Sequence, residues 1–267
     1  MPPPKLFLDR FSFRRDYLAA RSVKADKILA VLRREGHPAH SAAVLDIGCS
    51  QGHITDKLAG EFGFVVGIDP DYESNWTKLP LPLVQGSGTE LPFRGSAFDI
   101  VVLNHVIEHV RKPQQLLDEI RRVLRPGGIC YLACPNRFIL IEPHYRLPFL
   151  SWLPRGWAHT YVRLARRGEA YDDSLPTYWQ LRKWARGFHW IDYTLEIVRN
   201  PGLFLKGDTV IQSRLKWLRP VPQILLRTAL PWFPVFVAVL RKPASEHTTE
   251  SVGLKTSGRK ESLAAAE

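Results

Sequence analysis

The sequence predicts an α/β protein, a doubly wound sheet in a three-layer α/β/α arrangement. The apolar run 44–47 ends in a small-residue loop, which a helix-like segment at 53–61 follows. A second strand-like run, 64–68, ends at Asp69, about 20 residues beyond the first glycine of the loop. Strands that alternate with helices in this way form βαβ units, and these build parallel sheets with helices on both faces.

The loop from Gly48 to Gly52 predicts a nucleotide-like ligand. Glycines let the backbone pass close to a ligand, and the free N–H groups at the following helix N-terminus attract a negative group. An acid at Asp69 can hold both ribose hydroxyls. A dinucleotide fingerprint G-x-G-x-x-G would need glycine where the chain has Ser50 and His53. The spacing therefore disfavours a nicotinamide or flavin cofactor.

Further elements follow from the apolar spacing along the chain. A helix over 16–35, closed by Gly36, precedes the first strand. The helix predicted at 116–124 is stopped by Arg125-Pro126-Gly127-Gly128, and a strand over 129–133 follows. A helix over 175–186 and a strand over 191–198 complete this part of the chain.

The length of 267 residues predicts a single domain over 1–242 with an insertion over 138–175. The insertion is aromatic and basic and directly follows the fifth strand. Its aromatic side chains either cover the substrate pocket or pack a small satellite core, and the sequence leaves both alternatives open. The segment 243–267 lacks periodicity and is rich in Ser, Thr, Glu, Lys and Ala, which predicts a disordered tail.

The net charge of +11 raises the question of an acidic partner. The chain has no zinc knuckle, no RNP-type aromatic pair and no unbroken basic tract, so no nucleic-acid partner is expected. Solvated helix faces explain much of the charge, and phosphorylated or membrane-associated acceptors are the main alternative. The three cysteines form no paired pattern, so neither disulfides nor a metal site are expected. The N-terminus lacks secretory-signal features, which predicts the cytoplasm.

The apolar stretch 221–240 could suggest a membrane-spanning helix. Arg227 and the prolines at 222, 231 and 234 interrupt it, and a spanning helix would leave broken backbone hydrogen bonds in lipid. A short helix followed by a core strand is the favoured interpretation. The alternative is an amphipathic patch over 221–242 that contacts a membrane peripherally.

The motif Asp46-x-Gly48-x-Ser50-x-Gly52 resembles the D-x-G-x-G-x-G loop of class I S-adenosylmethionine-dependent methyltransferases of the type 11-like group, with serine at the middle glycine. Serine fits there if the φ angle of Ser50 is negative. Segments 86–93 and 96–110 and the helix and strand that follow are similar to the same family, so the resemblance covers about residues 40–140. It implies a Rossmann-like fold whose last strand, 234–240, runs antiparallel.

The resemblance also implies S-adenosylmethionine as the cofactor. The loop backbone would meet the methionine portion, Asp46 its amino group and Asp69 the ribose. Many relatives have an acid at the position of Ser87, near the adenine. The full set of implied cofactor residues is Asp46, Gly48, Cys49, Ser50, Gly52, Asp69, Pro70, Gly86, Ser87, Gly88, Asn104 and His105.

Methyl transfer from a sulfonium mainly requires that the acceptor be aligned with the methyl group. A hydroxyl acceptor would also use a general base near neutral pH. We predict His144 as that base, because the insertion that carries it should face the acceptor. His109 and Glu108 are further catalytic candidates, with purely structural roles as the alternative. Arg137 and Arg146 could bind a phosphate or carboxylate of the acceptor, or form surface ion pairs.

The sequence thus predicts a methyltransferase that acts on a hydroxyl of a glycan, a lipid-linked molecule or another small metabolite. A cofactor-binding scaffold without catalysis and an NAD-linked oxidoreductase on the same fold are the alternatives. The identity of the acceptor and the oligomeric state stay open.

Overall fold

A computed structural model describes residues 10–36, 40–72, 76 and 79–244. The predicted tail lies outside the described residues from position 245 onward. Within the described part, one seven-stranded sheet forms the centre of the molecule. Its strands are β1 (Ala43–Ile47), β2 (Phe64–Asp69), β3 (Leu83–Gln85), β4 (Phe98–Asn104), β5 (Leu124–Pro135), β6 (His189–Asp192) and β7 (Val235–Arg241).

The strands are ordered β3-β2-β1-β4-β5-β7-β6 across the sheet. The first five pair in parallel, whereas β7 pairs antiparallel with both β5 and β6. The predicted Rossmann-like fold, with its antiparallel final strand, is therefore confirmed.

Nine α-helices accompany the sheet in the described residues. They are α1 (Arg10–Arg34), α2 (His53–Ala59), α3 (Pro113–Val123), α4 (Arg155–Leu164), α5 (Tyr178–Trp184), α6 (Thr194–Arg199), α7 (Pro201–Phe204), α8 (Thr209–Leu215) and α9 (Gln223–Ala229).

Two buried cores, one on each face of the sheet, make the three layers. Val44 and Ile100 point to the face covered by α1, α2, α6 and α7. Leu45 and Val101, the next residues along each strand, point to the face covered by α3 and α5. Because both faces are covered, the central strands are almost entirely apolar, as is usual for parallel sheets.

The strand order places a crevice at the carboxyl ends of β1 and β4. β2 and β3 lie on one side of β1 and β4 lies on the other, so the chain connections diverge at this point. In open parallel sheets ligands bind at such a point. The loops that follow β1, β2, β3 and β4 line this crevice.

The predicted strand over 191–198 is wrong beyond Asp192, because α6 begins at Thr194. The Asp192 Oδ1 atom accepts a hydrogen bond from the Leu195 backbone N–H over 3.4 Å, a side-chain contact typical of a helix start. Tyr193 and Ile197 are both buried, and their separation of four residues is helical spacing. Alternating and helical apolar patterns are hard to distinguish in so short a run.

The insertion over 138–175 packs a small core of its own. Its buried members are Leu147, Leu150, Ala158, Val162 and Tyr171. Other aromatic residues of the insertion, among them Phe149, Trp152 and Trp157, remain exposed. A satellite core therefore explains only part of the aromatic content.

Candidate active site

The loop after β1 is held in an unusual backbone conformation. Gly48, Ser50 and Gly52 all have positive φ angles, of 75°, 48° and 80°. The condition under which serine was predicted to fit, a negative φ at Ser50, is therefore not met. A non-glycine residue in this region costs roughly 1–2 kcal/mol, and such strain is typical of functional sites. A Cβ atom on Gly48 would lie 2.3 Å from Val106 Cγ2, so this position also requires glycine for space.

Asp69 at the end of β2 fixes the same loop. Its Oδ2 atom accepts a hydrogen bond from the Ser50 backbone N–H over 2.8 Å, and its Oδ1 atom accepts one from the Asp71 N–H over 3.0 Å. Each carboxylate oxygen has a second lone pair. The carboxylate is thus oriented in advance and can still accept hydrogen bonds from ribose hydroxyls.

Asp46 lies in β1, and its buried carboxyl group is suited to bind a cationic group. Burial raises the pKa of its carboxyl to about 7, although a hydrogen bond from Thr55 Oγ1 over 2.7 Å and the charge of Arg21 act in the opposite direction. A bound ammonium group would stabilise the ionised carboxylate. Asp46 therefore fits the amino group of the expected cofactor.

A cleft of about 490 Å³ opens beside the loop, within the roughly 300–1,000 Å³ range of small-molecule sites. Four predicted cofactor residues line it, namely Gly48, Pro70, Ser87 and Gly88. The sequence prediction missed Arg111, Lys112 and Gln115 at the start of α3, which also line the cleft. Pro113 at the first position of α3 was the available signal that this helix begins beside the site.

The carboxyl end of β4 carries an unsatisfied polar group. Asn104 is buried, and neither atom of its side-chain amide has a hydrogen-bond partner. Leaving such atoms unpaired costs about 1–3 kcal/mol, so the amide marks a ligand position. His105 follows with a φ angle of 57°, and burial lowers the pKa of its imidazole. Both residues belong to the predicted cofactor set.

Cys49, Gly52 and Gly86 complete the predicted cofactor set. Cys49 is buried, and burial raises the pKa of its thiol far above the usual range, so it is no nucleophile. Gly52 precedes α2, and the Asp56 N–H donates to its carbonyl. The Gly86 N–H donates to the Asp69 carbonyl over 2.9 Å, which ties the loop after β3 to the end of β2.

The structure brings the three predicted catalytic residues together. Ligand-type atoms of Glu108, His109 and His144 all lie within 4.8 Å of one another, and the two histidine rings meet edge to face at 4.8 Å between centroids. His109 Nδ1 lies 2.6 Å from Asp173 Oδ1, and His144 Nδ1 lies 3.2 Å from Asp173 Oδ2. His144 Nδ1 is also 2.8 Å from Glu142 Oε1.

Glu142 shapes the turn that carries His144. Its buried carboxylate accepts hydrogen bonds from the backbone N–H groups of His144, over 2.8 Å, and Tyr145, over 2.6 Å. The same carboxylate contacts the His144 ring. Glu142 is therefore a positioning residue for that imidazole.

The protonation of His144 is set by its two acidic neighbours. Burial alone would lower the pKa of the imidazole, but hydrogen bonds to Asp173 and Glu142 outweigh burial and raise the pKa to about 10. The histidines in turn hold the pKa of Asp173 far below its usual range, against the effect of burial. At neutral pH, His144 keeps its proton unless another group displaces it.

Asp173 is a further residue that the sequence analysis missed. It is separated from His109 by 64 positions, so no local pattern links the two. The available signal was the acidic pair Asp172-Asp173 within an otherwise basic and aromatic insertion.

A second pocket, of about 140 Å³, is lined in part by Asp173. Its lining includes Arg137 and Arg155 together with Tyr171. The Arg137 side chain is also held by the Ser151 carbonyl, which accepts from Nε over 3.2 Å. Arg146 is exposed and does not line this pocket.

The fold, the loop after β1 and the crevice at the switch point are those of class I S-adenosylmethionine-dependent methyltransferases, and the chain belongs to this class. Residues 45–132 match a family model described as a methyltransferase domain. The predicted class is thus confirmed. S-adenosylmethionine is the cofactor of this class, so the predicted cofactor is confirmed as well.

Two relatives are O-methyltransferases of ubiquinone biosynthesis. The protein of Rhizobium rhizogenes is 32% identical over 149 residues, which cover 51% of this chain and 59% of the relative. The protein of Mesorhizobium japonicum is 30% identical over 175 residues, which cover 60% of this chain and 66% of the relative. The chain thus spans about 59% of the length of the first of these relatives.

Among solved structures, the YcgJ protein of Bacillus subtilis is similar in fold. Its TM-score is 0.51 at 15% identity, and the alignment covers 83% of this chain and 99% of that chain. At this identity the likeness supports the fold alone.

Proposed function

We propose that the protein transfers a methyl group from S-adenosylmethionine to a hydroxyl oxygen of a small, lipid-linked acceptor that carries a negative charge. One observation carries the proposal: the histidine and carboxylate cluster contributes lining residues to both pockets. His109 of the cluster lines the cofactor cleft, and Asp173 lines the arginine-containing pocket. An acceptor bound in the second pocket would present its hydroxyl to the cluster.

The first step is to hold the cofactor. The backbone of Gly48 to Gly52, the carboxylates of Asp46 and Asp69 and the amide of Asn104 supply complementary groups at neighbouring strand ends. The lining of the 490 Å³ cleft supplies a site for the adenine. When bound, S-adenosylmethionine provides a methyl group that its sulfonium already activates. The protein therefore has to align the acceptor and exclude water.

The second step is the removal of the proton from the acceptor hydroxyl. The side chains of His109 and His144 are 44% and 34% exposed, while those of Glu108 and Glu142 are fully buried behind them. An acceptor can therefore reach the imidazoles but not the carboxylates. His144 can receive this proton only in its neutral form, so turnover by this route is expected to rise with pH, and Asp173 and Glu142 then stabilise the positive charge that forms on His144.

The third step is to select the acceptor. Arg137 and Arg155 in the second pocket favour an anionic group such as a phosphate or a carboxylate. The two relatives are O-methyltransferases, which supports oxygen as the accepting atom. Glycans and other small metabolites are the alternative acceptors.

Titration and transfer experiments test this function. The full chain should bind S-adenosylmethionine but not NAD in calorimetric titrations. With radiolabelled S-adenosylmethionine, label should appear in the lipid fraction of a cell extract. Cofactor binding without transfer to any fraction would instead favour a scaffold, and NAD binding would favour an oxidoreductase.

Five aromatic rings form a continuous strip on the surface beside the arginine-containing pocket. Phe149 contacts Trp152, which contacts Phe138, and their ring centroids are 5.4 and 5.8 Å apart. Trp232 then lies 4.7 Å from Phe138 and 6.1 Å from Trp179. Exposed tryptophans with nearby arginines are typical of surfaces that lie in a membrane interface.

We therefore propose that this aromatic strip contacts the membrane that holds the acceptor. The patch predicted over 221–242 contributes only Trp232 to this strip, and most of β7 within that patch is buried. Among the described residues, no helix has both the length and the apolar character to cross a bilayer. The strip would thus make a surface contact.

Vesicle binding tests the strip. The double substitution Trp152→Ala and Trp232→Ala should lower co-sedimentation with anionic phospholipid vesicles at least fivefold, since interfacial aromatic side chains contribute much of such binding. Trp217→Ala is the matched control. Trp217 is also exposed, but it follows Leu215, which packs against the core on the opposite face of the sheet. Equal pelleting of the double variant and the native protein would reject the strip as the contact.

A further inference from the structure

The arginine-containing pocket has the size of one chemical group rather than of a whole small molecule. Its volume of about 140 Å³ is less than half of the roughly 300 Å³ at which small-molecule sites begin. Three separate segments of the chain line it with hydrogen-bond donors: Arg137 follows β5, Arg155 begins α4, and Tyr171 and Ser174 lie where the insertion returns. The pocket therefore offers many donors to a single small group.

Tyr171 is the residue that points to a ligand. It is 6% exposed, it lines the pocket, and its hydroxyl has no hydrogen-bond partner among the described residues. The ring of Tyr145 packs against it, with 5.4 Å between centroids, and the Tyr145 hydroxyl does have a partner in the Ala170 carbonyl. Burial raises the pKa of the Tyr171 phenol above its usual range, so it keeps its proton and can donate. An unpaired buried hydroxyl is unfavourable, and an acceptor atom of a ligand would satisfy it.

The start of α4 adds backbone donors at the same pocket. No side chain caps the N-terminus of this ten-residue helix, and its first turn contains no acid. Within the part of the chain that the structure describes, the N–H groups of Arg155 and Gly156 have no acceptor. Free N–H groups and the helix dipole favour an anion at such a position. Because Arg155 also lines the pocket, the helix N-terminus and the Tyr171 hydroxyl lie at one site.

Asp173 is the acid in the pocket lining, and its charge is already compensated. His109 Nδ1 lies 2.6 Å from one of its carboxylate oxygens and His144 Nδ1 lies 3.2 Å from the other. The pKa of His144, raised to about 10 by its acidic neighbours, keeps that imidazole positively charged at neutral pH. The guanidinium groups of Arg137 and Arg155 therefore leave the pocket with an excess of positive charge.

We propose that this pocket binds a phosphate monoester of the acceptor. The inference rests on the proposed function, because it names the class of acceptor for the same site. A carboxylate has two oxygens with about four acceptor positions, whereas a phosphate monoester has three strongly accepting terminal oxygens. Two guanidinium groups, two hydroxyls and two backbone N–H groups exceed what a carboxylate can accept.

The same site limits the distance between the phosphate and the hydroxyl that receives the methyl group. Asp173 lines the pocket and also contacts both histidines of the cluster, so a single side chain separates the two positions. The acceptor is therefore a phosphate monoester with a free hydroxyl a few bonds from the phosphorus.

Binding of glycerol 3-phosphate to the full chain tests the pocket without any turnover. Calorimetric titration in the absence of S-adenosylmethionine should show one glycerol 3-phosphate per chain and at least tenfold weaker binding of acetate. Tyr171→Phe removes only the hydroxyl and should weaken binding about tenfold, as loss of a hydrogen bond to a charged group does. Arg137→Gln should weaken it at least as much. Tyr161→Phe and Arg163→Gln, two changes in α4 outside the pocket, should leave binding unchanged.

Thermal unfolding shows which of these variants are folded. Equal binding of glycerol 3-phosphate by the native protein and folded Tyr171→Phe would overturn the assignment. Absence of binding to the native protein, or acetate binding as tight as that of the phosphate, would overturn it as well.

Two further measurements identify the source of the phosphate. If the acceptor carries it, treatment of the cell extract with a phosphomonoesterase should abolish transfer of radiolabel, and label that persists would overturn the proposal. Tyr171→Phe should pellet with anionic phospholipid vesicles as the native protein does. A fall in pelleting would assign the pocket to a membrane phospholipid instead. Absence of methyl transfer to any extract, treated or untreated, would reject the proposed function, while tyrosine-dependent binding of glycerol 3-phosphate would still support the phosphate site.

Discussion

Replacement of His144 by alanine is expected to lower kcat about 10²–10⁴-fold, the usual contribution of a positioned acid–base group. His144 lies within the cluster but does not line the cofactor cleft. The dissociation constant for S-adenosylmethionine should therefore change less than twofold. Steady-state kinetics of methyl transfer and calorimetric titration of the cofactor measure the two quantities.

His189→Ala is a suitable control for this experiment. His189 is an exposed histidine at the start of β6, outside the cluster. Its replacement should leave both quantities unchanged. Unchanged turnover in His144→Ala would remove His144 from the reaction, and a large loss of cofactor affinity would show that His144 contributes to the cofactor site instead.

Much of the fold could be predicted because local patterns determine it. The apolar runs at β1 and β2 can be recognised from a few neighbouring residues, because each run is followed by a turn and a polar residue. The acids at Asp46 and Asp69 follow from the same patterns, since strand ends in a parallel sheet lie at one edge. The strand prediction over 191–198 was wrong beyond Asp192. Tyr193 and Ile197 are four positions apart, which is helical spacing, and a hydrogen bond to the Asp192 side chain marks the start of the helix.

The loop after β1 shows a different limit of sequence reasoning. Serine at position 50 was predicted to fit if its φ angle is negative, because side chains disfavour the left-handed region. The hydrogen bond from its N–H to Asp69 and the one from Trp76 Nε1 to its carbonyl, over 2.6 Å, hold the residue there. Contacts from elsewhere in the chain thus outweigh the local preference.

The cluster could be predicted only in part for the same reason. Glu108 and His109 follow β4 and His144 follows β5, so adjacent strand ends bring them together. Asp173 reaches the cluster because the insertion packs its own core and returns the chain to β4, where the Ser174 N–H donates to the Glu108 carbonyl over 2.9 Å. Such a return depends on tertiary packing, which has no short sequence signature.

Asp46→Asn is expected to stabilise the protein while it weakens cofactor binding. The folded state raises the pKa of Asp46 to about 7 through burial, whereas an unfolded aspartate titrates near 3.9. Between about pH 4 and pH 7 the folded state therefore binds more protons, so the free energy of unfolding falls as pH rises. The slope approaches about 1.4 kcal/mol per pH unit within that window. Asparagine can still accept the Thr55 hydrogen bond but has no proton to lose.

Denaturant unfolding at pH 5 and pH 8 measures the stability part of this prediction. The native protein should lose a few kcal/mol more than Asp46→Asn between the two values. Asp118→Asn, on the exposed side of α3, should behave like the native protein. Parallel slopes for Asp46→Asn and the native protein would mean that Asp46 is not protonated in the folded state.

Calorimetric titration at pH 8 measures the binding part. Loss of a charge-assisted contact to the amino group of S-adenosylmethionine, worth about 1.5–3 kcal/mol, should weaken affinity by about 10–100-fold. A stabilised variant with impaired binding would show that the buried carboxylate of Asp46 lowers the stability of the folded state but is needed to bind the cofactor. Native affinity in Asp46→Asn would place the amino group elsewhere, with the backbone of the strained loop as the remaining acceptor.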